Sequence, residues 1–238
     1  MELIETNLTF KQIGIMNRLR STRTPEGIFR LPLNQSFCHY ALTEAYVNCV
    51  NDASIHYIHR PEHENALAMI SGWLVGYSYK CGLWLCGLGG TGKTTIVKAI
   101  QKLVLSLDIQ DPIKSNPSHQ VSAGLVVISA TQLCNVYVNE PKKFQRYQRE
   151  ALLAIDDLGA EPEKILNYGQ QCNPFAELLA FRYENRLITI VTTNLPSDVI
   201  RNRYGDRAAD RVKHMMEVVT MPDTNYRNYS QLLSKVLV

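Results

Sequence analysis

Short apolar runs and stripes of apolar residues at helical spacing alternate along most of this chain. Runs with the length and composition of buried strands lie at 83–86, 124–129, 151–156 and 187–192. Stripes with the three- and four-residue spacing of helices lie between them, for example at Ile96, Ile100, Leu103 and Leu107. Because strands alternate with helices, we predict an α/β fold with a parallel sheet that is flanked by helices on both faces.

The first 60 residues have a different pattern from the rest of the chain. They contain a basic stretch at 18–23, several turn residues and one helical stripe within 42–50. From Pro61 a new helical stripe leads into the first strand. We therefore predict two parts: a small N-terminal region at 1–60, which is an arm or binds a partner, and a core domain at 61–238.

Two stretches of the core domain lack an apolar period. Residues 108–121 and 159–173 are predicted to be loops, since polar and turn-forming residues replace the strand and helix patterns there. Asn173 followed by Pro174 predicts the start of a helix, with the Asn as the cap and the Pro as the first helical residue.

Composition narrows the class of protein further. The 238 residues are 45% hydrophobic and 20% charged, which is typical of a soluble globular protein. No apolar run approaches the roughly 20 residues of a membrane span, and the first residues lack the layout of a signal peptide. We therefore expect a cytoplasmic protein without membrane contact. The six cysteines form no C-x-x-C pair and no recognised zinc pattern, so reduced thiols are expected.

The segment at 87–95 carries the most specific chemistry. It reads Gly-Leu-Gly-Gly-Thr-Gly-Lys-Thr-Thr and fits G-x-x-x-x-G-K-[ST], the phosphate-binding loop of nucleoside triphosphate sites. A strand pattern precedes it and a helical pattern follows, as this chemistry requires, which disfavours an ordinary surface turn. Lys93 is expected to bridge the β and γ phosphates of ATP, and the Thr94 hydroxyl to ligate Mg²⁺. The predicted nucleotide-binding residues are Gly87, Leu88, Gly89, Gly90, Thr91, Gly92, Lys93, Thr94 and Thr95.

A pair of carboxylates ends the strand pattern at 151–156. Asp156 and Asp157 follow four or more apolar residues, at the carboxyl end of a predicted parallel strand, where open α/β sheets bind ligands. We expect Asp156 to hold Mg²⁺ together with Thr94, and Asp157 to orient or polarise the attacking water. ATPases of this general type often carry Glu at the second position, and the shorter Asp reaches about one bond less.

A basic segment at 142–149 suggests contact with DNA. It combines four cations with Phe144 and Tyr147, and such a mixture suits single-stranded nucleic acid, because cations neutralise phosphates while rings stack on bases. A solvated helix face is the alternative. The formal net charge of +3 is too small to decide between them. The candidate DNA-binding residues are Lys142, Lys143, Arg146 and Arg149.

Further motifs follow in a fixed order. They are Ile-Asp-Asp-Leu-Gly-Ala-Glu at 155–161, Arg-Tyr-Glu at 182–184, Thr-Thr-Asn-Leu at 192–195, Tyr-Gly-Asp-Arg at 204–207 and Asp-Arg at 210–211. Together with the phosphate-binding loop they resemble the DnaC/IstB-type AAA+ ATPases, from about Asn65 to about Arg227. The resemblance implies an AAA+ P-loop NTPase core that binds and hydrolyses ATP with Mg²⁺.

The resemblance also implies roles for four more residues. Asn194 looks like the sensor I residue, which places a water near the γ phosphate; capping of the helix at Pro196 is the alternative. Arg207 and Arg211 share a helix face, and one of them, preferably Arg211, is implied to be an arginine finger that reaches a neighbouring subunit of a homo-oligomer. A solvated face of ion pairs is the alternative. Arg227 is similar in position to sensor II, although an ordinary surface Arg fits almost as well.

The function that the resemblance implies is that of a helicase loader. Such a protein assembles on single-stranded DNA and delivers a replicative DNA helicase. Within the same family, an IstB-like ATPase that regulates a transposase on duplex DNA is the nearest alternative. An ATP-dependent binding switch with little hydrolysis is an alternative of another class, and Asp157 keeps it open. The paired arginines disfavour a metabolic kinase.

Overall fold

The computed structural model describes residues 28–53, 57, 59–167 and 169–223. Their helices are α1 Gln35–Asp52, α2 Pro61–Val75, α3 Lys93–Ser106, α4 Ala130–Asn139, α5 Pro141–Arg149, α6 Pro174–Glu184, α7 Ser197–Tyr204 and α8 Asp206–Met215. Their strands are β1 Gly82–Cys86, β2 Val126–Ser129, β3 Leu152–Leu158, β4 Ile165–Asn167, β5 Gln170–Cys172, β6 Ile188–Thr193 and β7 Met216–Thr220.

Five of these strands form one parallel sheet in the order β2-β3-β6-β1-β7. The four strands that the apolar runs predict are all present. Strand β6 lies between β3 and β1, so the ends of these three strands bring the aspartates, Asn194 and the phosphate-binding loop to one edge. Helices cover both faces of the sheet, and the predicted α/β fold is confirmed.

Asn173 begins α6 as its residue type predicts. Its side-chain oxygen accepts a hydrogen bond from the Ala176 N–H at 3.0 Å, and Pro174 is the first helical residue. The loop prediction for 159–173 is wrong in its second half, where β4 and β5 pair as a short antiparallel hairpin. Three-residue strands with mostly exposed side chains lack an apolar alternation, so the sequence pattern does not show them.

Strand β7 is the other element that the sequence pattern misses. It follows α8 without a connecting loop, because Met215 ends the helix and Met216 begins the strand. The helical and strand patterns therefore run into one another with no turn residues between them. The edge position of β7 leaves Val218 46% exposed, which further weakens its resemblance to a buried strand.

Helix α1 belongs to the same hydrophobic core as the phosphate-binding region. Its buried face contributes Cys38 and Leu42 to a cluster that also holds Leu67 of α2, Leu83 of β1 and Ile96 of α3. The described part of the predicted N-terminal region is thus packed on the core domain. The domain boundary at residue 60 stays a prediction, since residues 1–27 lie outside the described residues.

In the described part of the chain, no helix combines the length and the apolar character needed to cross a bilayer. All six cysteines are free thiols; Cys38, Cys49, Cys81 and Cys134 are buried, whereas Cys86 and Cys172 are half-buried.

Candidate nucleotide-binding site

The phosphate-binding loop connects the end of β1 to the start of α3. Gly87, Gly90 and Gly92 have φ angles of 145°, 83° and 91°, in the region that side chains other than glycine rarely adopt. Space is also limited at Gly92, where an added Cβ would lie 2.5 Å from the Tyr46 hydroxyl oxygen. Backbone torsion and a close aromatic neighbour therefore both require glycine directly before Lys93.

Lys93 lies inside this loop and not on its surface. The side chain is buried, and Nζ donates to the carbonyl oxygens of Gly87 at 2.8 Å and Leu88 at 2.7 Å. These carbonyl contacts keep the ammonium group at the loop, where it can exchange them for the oxygens of an anionic ligand. As the first residue of α3, Lys93 also adds its charge to the positive end of the helix dipole.

Asp156 connects the loop to the neighbouring strands. Its Oδ1 atom accepts hydrogen bonds from the Thr94 hydroxyl at 3.1 Å and from the Thr192 hydroxyl at 2.6 Å. The predicted pair of Mg²⁺ ligands, Thr94 and Asp156, is therefore brought together by the fold. Two hard oxygen donors suit Mg²⁺, which usually takes few protein ligands and fills its shell with water and substrate phosphates.

Thr192 positions both aspartates. While its hydroxyl donates to Asp156, it accepts a hydrogen bond from the Asp157 N–H at 2.8 Å. Sequence reasoning used Thr192 only as part of a family motif. Thr192 is the second-to-last residue of β6 and lies beside the end of β3. The sequence alone does not give this cross-strand register.

Asp157 stands at an irregularity of β3. The register with β6 shifts between Ile155 and Leu158, and Asp157 has a φ of 54°, in the left-handed region. Its side chain is exposed and borders the cavity. A strained backbone conformation at a carboxylate that faces a cavity is a common feature of functional sites.

Asn194 directly follows β6 and lies at the same cavity. It is exposed and lines the opening together with Leu195 and the turn at 157–160. The alternative that Asn194 caps the next helix is wrong, because α7 has Pro196 at its N-cap and receives no side-chain cap bond. The amide of Asn194 is therefore available to a ligand in the cavity.

The cavity between these elements has a volume of about 420 Å³, within the usual range for small-molecule sites. The phosphate-binding loop lines one part of it, and an aromatic wall lines another: Tyr46, Cys49 and Val50 of α1 with Tyr57 and His63. The Tyr46 ring lies 4.5 Å from the His63 ring and 6.0 Å from the Tyr57 ring, measured between centroids. Sequence reasoning missed this aromatic wall, although the stripe that contains Tyr46 and Val50 marks one face of α1.

His63 is neutral at physiological pH. Burial lowers its pKa from 6.5 to about 4, although the nearby Glu64 carboxylate acts in the opposite direction. The His63 side of the aromatic wall is therefore uncharged, whereas the loop carries the Lys93 ammonium group. This contrast suits a ligand with an anionic part and a flat, uncharged part.

The arginine pair lies on α8, outside the residues that line the cavity. Asp206 and Asp210, which could neutralise this face, instead pair with Arg201 of α7, in the second case at 3.2 Å. Arg207 is exposed, while the Arg211 guanidinium lies 5.8 Å from the centroid of the Tyr183 ring. The face is thus not the series of i,i+4 ion pairs that the alternative requires. Arg227 lies outside the described residues.

Helix α5 presents the predicted basic residues to solvent. Lys142, Arg146 and Arg149 are exposed, as is Lys143, which pairs with Glu140 at 3.3 Å. The expectation that Phe144 stacks on bases is wrong: it is only 4% exposed and packs edge-on against Tyr137 at a centroid distance of 4.9 Å. The amphipathic helix directs this ring toward the core. Tyr147 is half-buried.

Arg182 fixes the end of α5 to the sheet. This fully buried side chain donates to the carbonyl oxygens of Tyr147 at 2.9 Å and Glu150 at 2.8 Å, and its Nε donates to the Thr189 hydroxyl at 2.8 Å. Burial lowers the pKa of Arg182 to about 9, so the guanidinium remains charged at neutral pH. These contacts explain the Arg of the Arg-Tyr-Glu motif as a residue that holds α5 to the sheet.

Comparisons with known proteins show the fold. No family model and no curated protein sequence matches this chain. Among solved structures, the DnaC helicase loader is 19% identical with a TM-score of 0.55, over 74% of this chain and 98% of that one. DnaI is 15% identical with a TM-score of 0.53, over 86% and 100%.

AMPPCP-bound DnaA from Aquifex aeolicus is 17% identical with a TM-score of 0.52, over 76% of this chain and 53% of that structure. This chain therefore spans about half of the DnaA structure but nearly all of the two others. The predicted fold around the phosphate-binding loop is confirmed, and the resemblance to DnaC-type proteins is confirmed at the level of the fold.

Proposed function

We propose that this protein is an ATPase of the helicase-loader type, which binds ATP with Mg²⁺, assembles on single-stranded DNA and delivers a replicative helicase. The observation that carries the nucleotide part is the 3.1 Å hydrogen bond between Thr94 of the phosphate-binding loop and Asp156 of β3. It joins the two sequence motifs beside a cavity of suitable size, which Thr94 and Asp157 line.

The cavity supports a nucleoside triphosphate over other anions. The loop offers Lys93 and the start of α3 to phosphates, whereas the aromatic wall offers the rings of Tyr46 and Tyr57 to a base. Thr94 and Asp156 are the groups that would hold Mg²⁺, which would screen the phosphate charge. Asp157 and Asn194 border the same space and are the candidates to orient the attacking water.

The arginines of α8 support a site that is completed between subunits. Neither Arg207 nor Arg211 lines the cavity of its own chain, and no carboxylate of the described residues is paired with either. A guanidinium with no carboxylate partner among the described residues can stabilise the transition-state charge in a neighbouring subunit. Arg211 remains our preferred finger, and Arg227 our candidate for a second contact to the phosphates.

The exposed cations of α5 support binding of single-stranded DNA. With Phe144 buried, we assign this binding to the charges of Lys142, Lys143, Arg146 and Arg149, and base stacking to Tyr147 at most. Contacts of this kind are mainly to phosphates, so affinity should fall steeply with salt. Delivery of a helicase rests on the shared fold with the DnaC helicase loader.

A switch that hydrolyses ATP slowly is the second candidate, since Asp157 has the shorter carboxylate and a backbone held in the left-handed region.

An IstB-like ATPase, which acts with a transposase, is the alternative within the same family. It differs from a helicase loader only in the partner protein and in binding duplex DNA. A pull-down with the full-length protein and ATP, in which either a helicase or a transposase is retained, distinguishes these two partners.

ATPase assays on point variants test the nucleotide chemistry. Lys93→Ala should abolish ATP binding, and Asp157→Asn should lower kcat with little change in ATP affinity. Arg211→Ala should lower kcat while binding is kept, and Lys213→Ala, an exposed cation on the same helix, is the matched control. Mixing Lys93→Ala with Arg211→Ala should restore activity, because each supplies what the other lacks. Normal hydrolysis by Arg211→Ala contradicts the shared site.

A further inference from the structure

Glu161 is a buried carboxylate close to the nucleotide cavity, although it does not line it. Its side chain is 4% exposed. The Oε2 atom accepts a hydrogen bond from the Gly159 N–H at 2.8 Å, whereas Oε1 accepts from the Tyr204 hydroxyl at 2.5 Å and from Arg203 Nη2 at 3.1 Å. The two oxygens of one side chain therefore hold two separate parts of the molecule.

The first part is the turn that forms a wall of the cavity. Asp157, Leu158 and Gly159 all border that space. Gly159 has a φ of 106°, and an added Cβ would lie 2.6 Å from Leu195, the residue after Asn194. The turn thus packs closely against Leu195, which follows β6 and Asn194. A ligand that displaced Asp157 or Asn194 would therefore also shift the Gly159 N–H, which donates to Glu161.

The second part is the junction that begins the arginine helix. Tyr204 is the last residue of α7, and α8 starts at Asp206, after Gly205 alone. The Tyr204 ring is 7% exposed and packs edge-on against Phe175. Arg203 makes two hydrogen bonds to Glu161, since its Nη2 donates to the main-chain carbonyl as well as to Oε1. The position of Tyr204 therefore fixes where α8 begins.

The groups around Glu161 require an acceptor at both of its side-chain oxygens. Burial and the bond to Glu161 raise the pKa of the Tyr204 hydroxyl, so it stays an O–H donor at neutral pH. The peptide N–H, the hydroxyl and the guanidinium are all donors. A carboxylate accepts all three, whereas an amide has only one oxygen and would place N–H groups against a donor.

We propose that Glu161 is a positioning residue that links the state of the nucleotide cavity to the position of α8 and hence of Arg207 and Arg211. The inference rests on the proposed nucleotide site. It explains why Glu161 is buried and hydrogen-bonded through both oxygens. This carboxylate lies between the turn that borders the cavity and the helix that carries Arg207 and Arg211.

Hydrogen exchange of the full-length protein tests this link. A non-hydrolysable ATP analogue with Mg²⁺ should slow exchange of the wild-type amides at 206–215. Glu161→Gln should bind the analogue within about threefold of the wild-type Kd, yet lose most of that change, and its kcat should fall about tenfold at a similar KM. Glu163→Gln is the matched control, because Glu163 is 83% exposed and reaches Arg203 only at 3.8 Å.

Tyr204→Phe provides a second variant that removes one hydrogen bond and keeps the ring. It should reduce the exchange response partially, so the link can be judged even where Glu161→Gln folds poorly. A full exchange response in Glu161→Gln or in Tyr204→Phe overturns the inference. Failure of the wild type to bind the analogue overturns the proposed function itself, whereas binding without any change at 206–215 overturns only the link.

Discussion

Replacing Thr192 with Val tests whether one hydroxyl holds both aspartates of the proposed site in place. The change keeps the shape of the side chain and removes the bonds to the Asp157 N–H, at 2.8 Å, and to Asp156 Oδ1, at 2.6 Å. A donor left without its acceptor costs about 1–3 kcal/mol. For a chain of this size, each kcal/mol lowers Tm by about 2–4 °C, so a fall of about 2–12 °C is expected.

The effect on hydrolysis should be larger than the effect on binding. A displacement of about 1 Å at a catalytic group can cost about 100-fold in rate, so we expect kcat to fall about 10- to 100-fold. ATP affinity should change by less than about threefold, because the phosphate-binding loop keeps Lys93 and its backbone. Steady-state ATPase rates and titration with a fluorescent ATP analogue measure the two quantities separately.

Two further variants make the Thr192 result specific. Thr192→Ser keeps the hydroxyl and should retain most of the activity. Thr193→Val removes the same number of bonds one position later, to the Leu158 carbonyl at 2.6 Å and from the Leu195 N–H at 3.0 Å. It should lower Tm similarly but kcat less. A wild-type rate for Thr192→Val, or an equal loss for Thr193→Val, refutes the positioning role.

Three other predictions follow from single side chains. Gly92→Ala should abolish nucleotide binding, whereas Gly89→Ala should keep it, since an added Cβ meets nothing within 4 Å there; titration with the analogue decides. Burial lowers the pKa of His63 from 6.5 to about 4, so the folded protein binds fewer protons than the unfolded chain between these two pH values. The free energy of unfolding should therefore be highest above pH 6.5 and should fall as pH falls toward 4, by up to about 1.4 kcal/mol per pH unit. Urea unfolding of His63→Asn should depend less on pH in this window, and equal slopes contradict the assignment. Phe144→Ala should cost about 3–5 kcal/mol of stability, whereas Arg146→Ala should leave Tm unchanged and weaken single-stranded DNA binding with a smaller salt dependence; unchanged DNA affinity argues against a DNA-binding α5.

The parts of the site that the sequence predicts are those with a short-range pattern. The strand, loop and helix around Lys93 are contiguous in the chain, and Asp156 stands at the end of an apolar run, so both can be located without tertiary contacts. The strand pairing β3 to β6 then brings Asp156 to Thr192. This register follows from packing between distant segments, which no local pattern encodes.

The features that sequence reasoning missed depend on the tertiary packing of amphipathic elements. A basic helix with two rings suits base stacking equally well whichever face is buried, and only the contact with Tyr137 shows that Phe144 belongs to the core. Likewise, the stripe on α1 predicts a buried face, but not that Tyr46 lies against Gly92. The hairpin at 165–172 has too few buried residues to show a period.

The packing of α1 on α3 has a practical consequence for fragments of this protein. A fragment that starts at residue 61 would lack Cys38, Leu42 and Tyr46, and would expose Ile96 and Ile100, which are at most 1% exposed in the folded chain. Such a truncation would remove a wall of the nucleotide cavity together with part of the core. Expression fragments and chimaeras should therefore begin before Leu31, so that α1 remains with the core on which it packs.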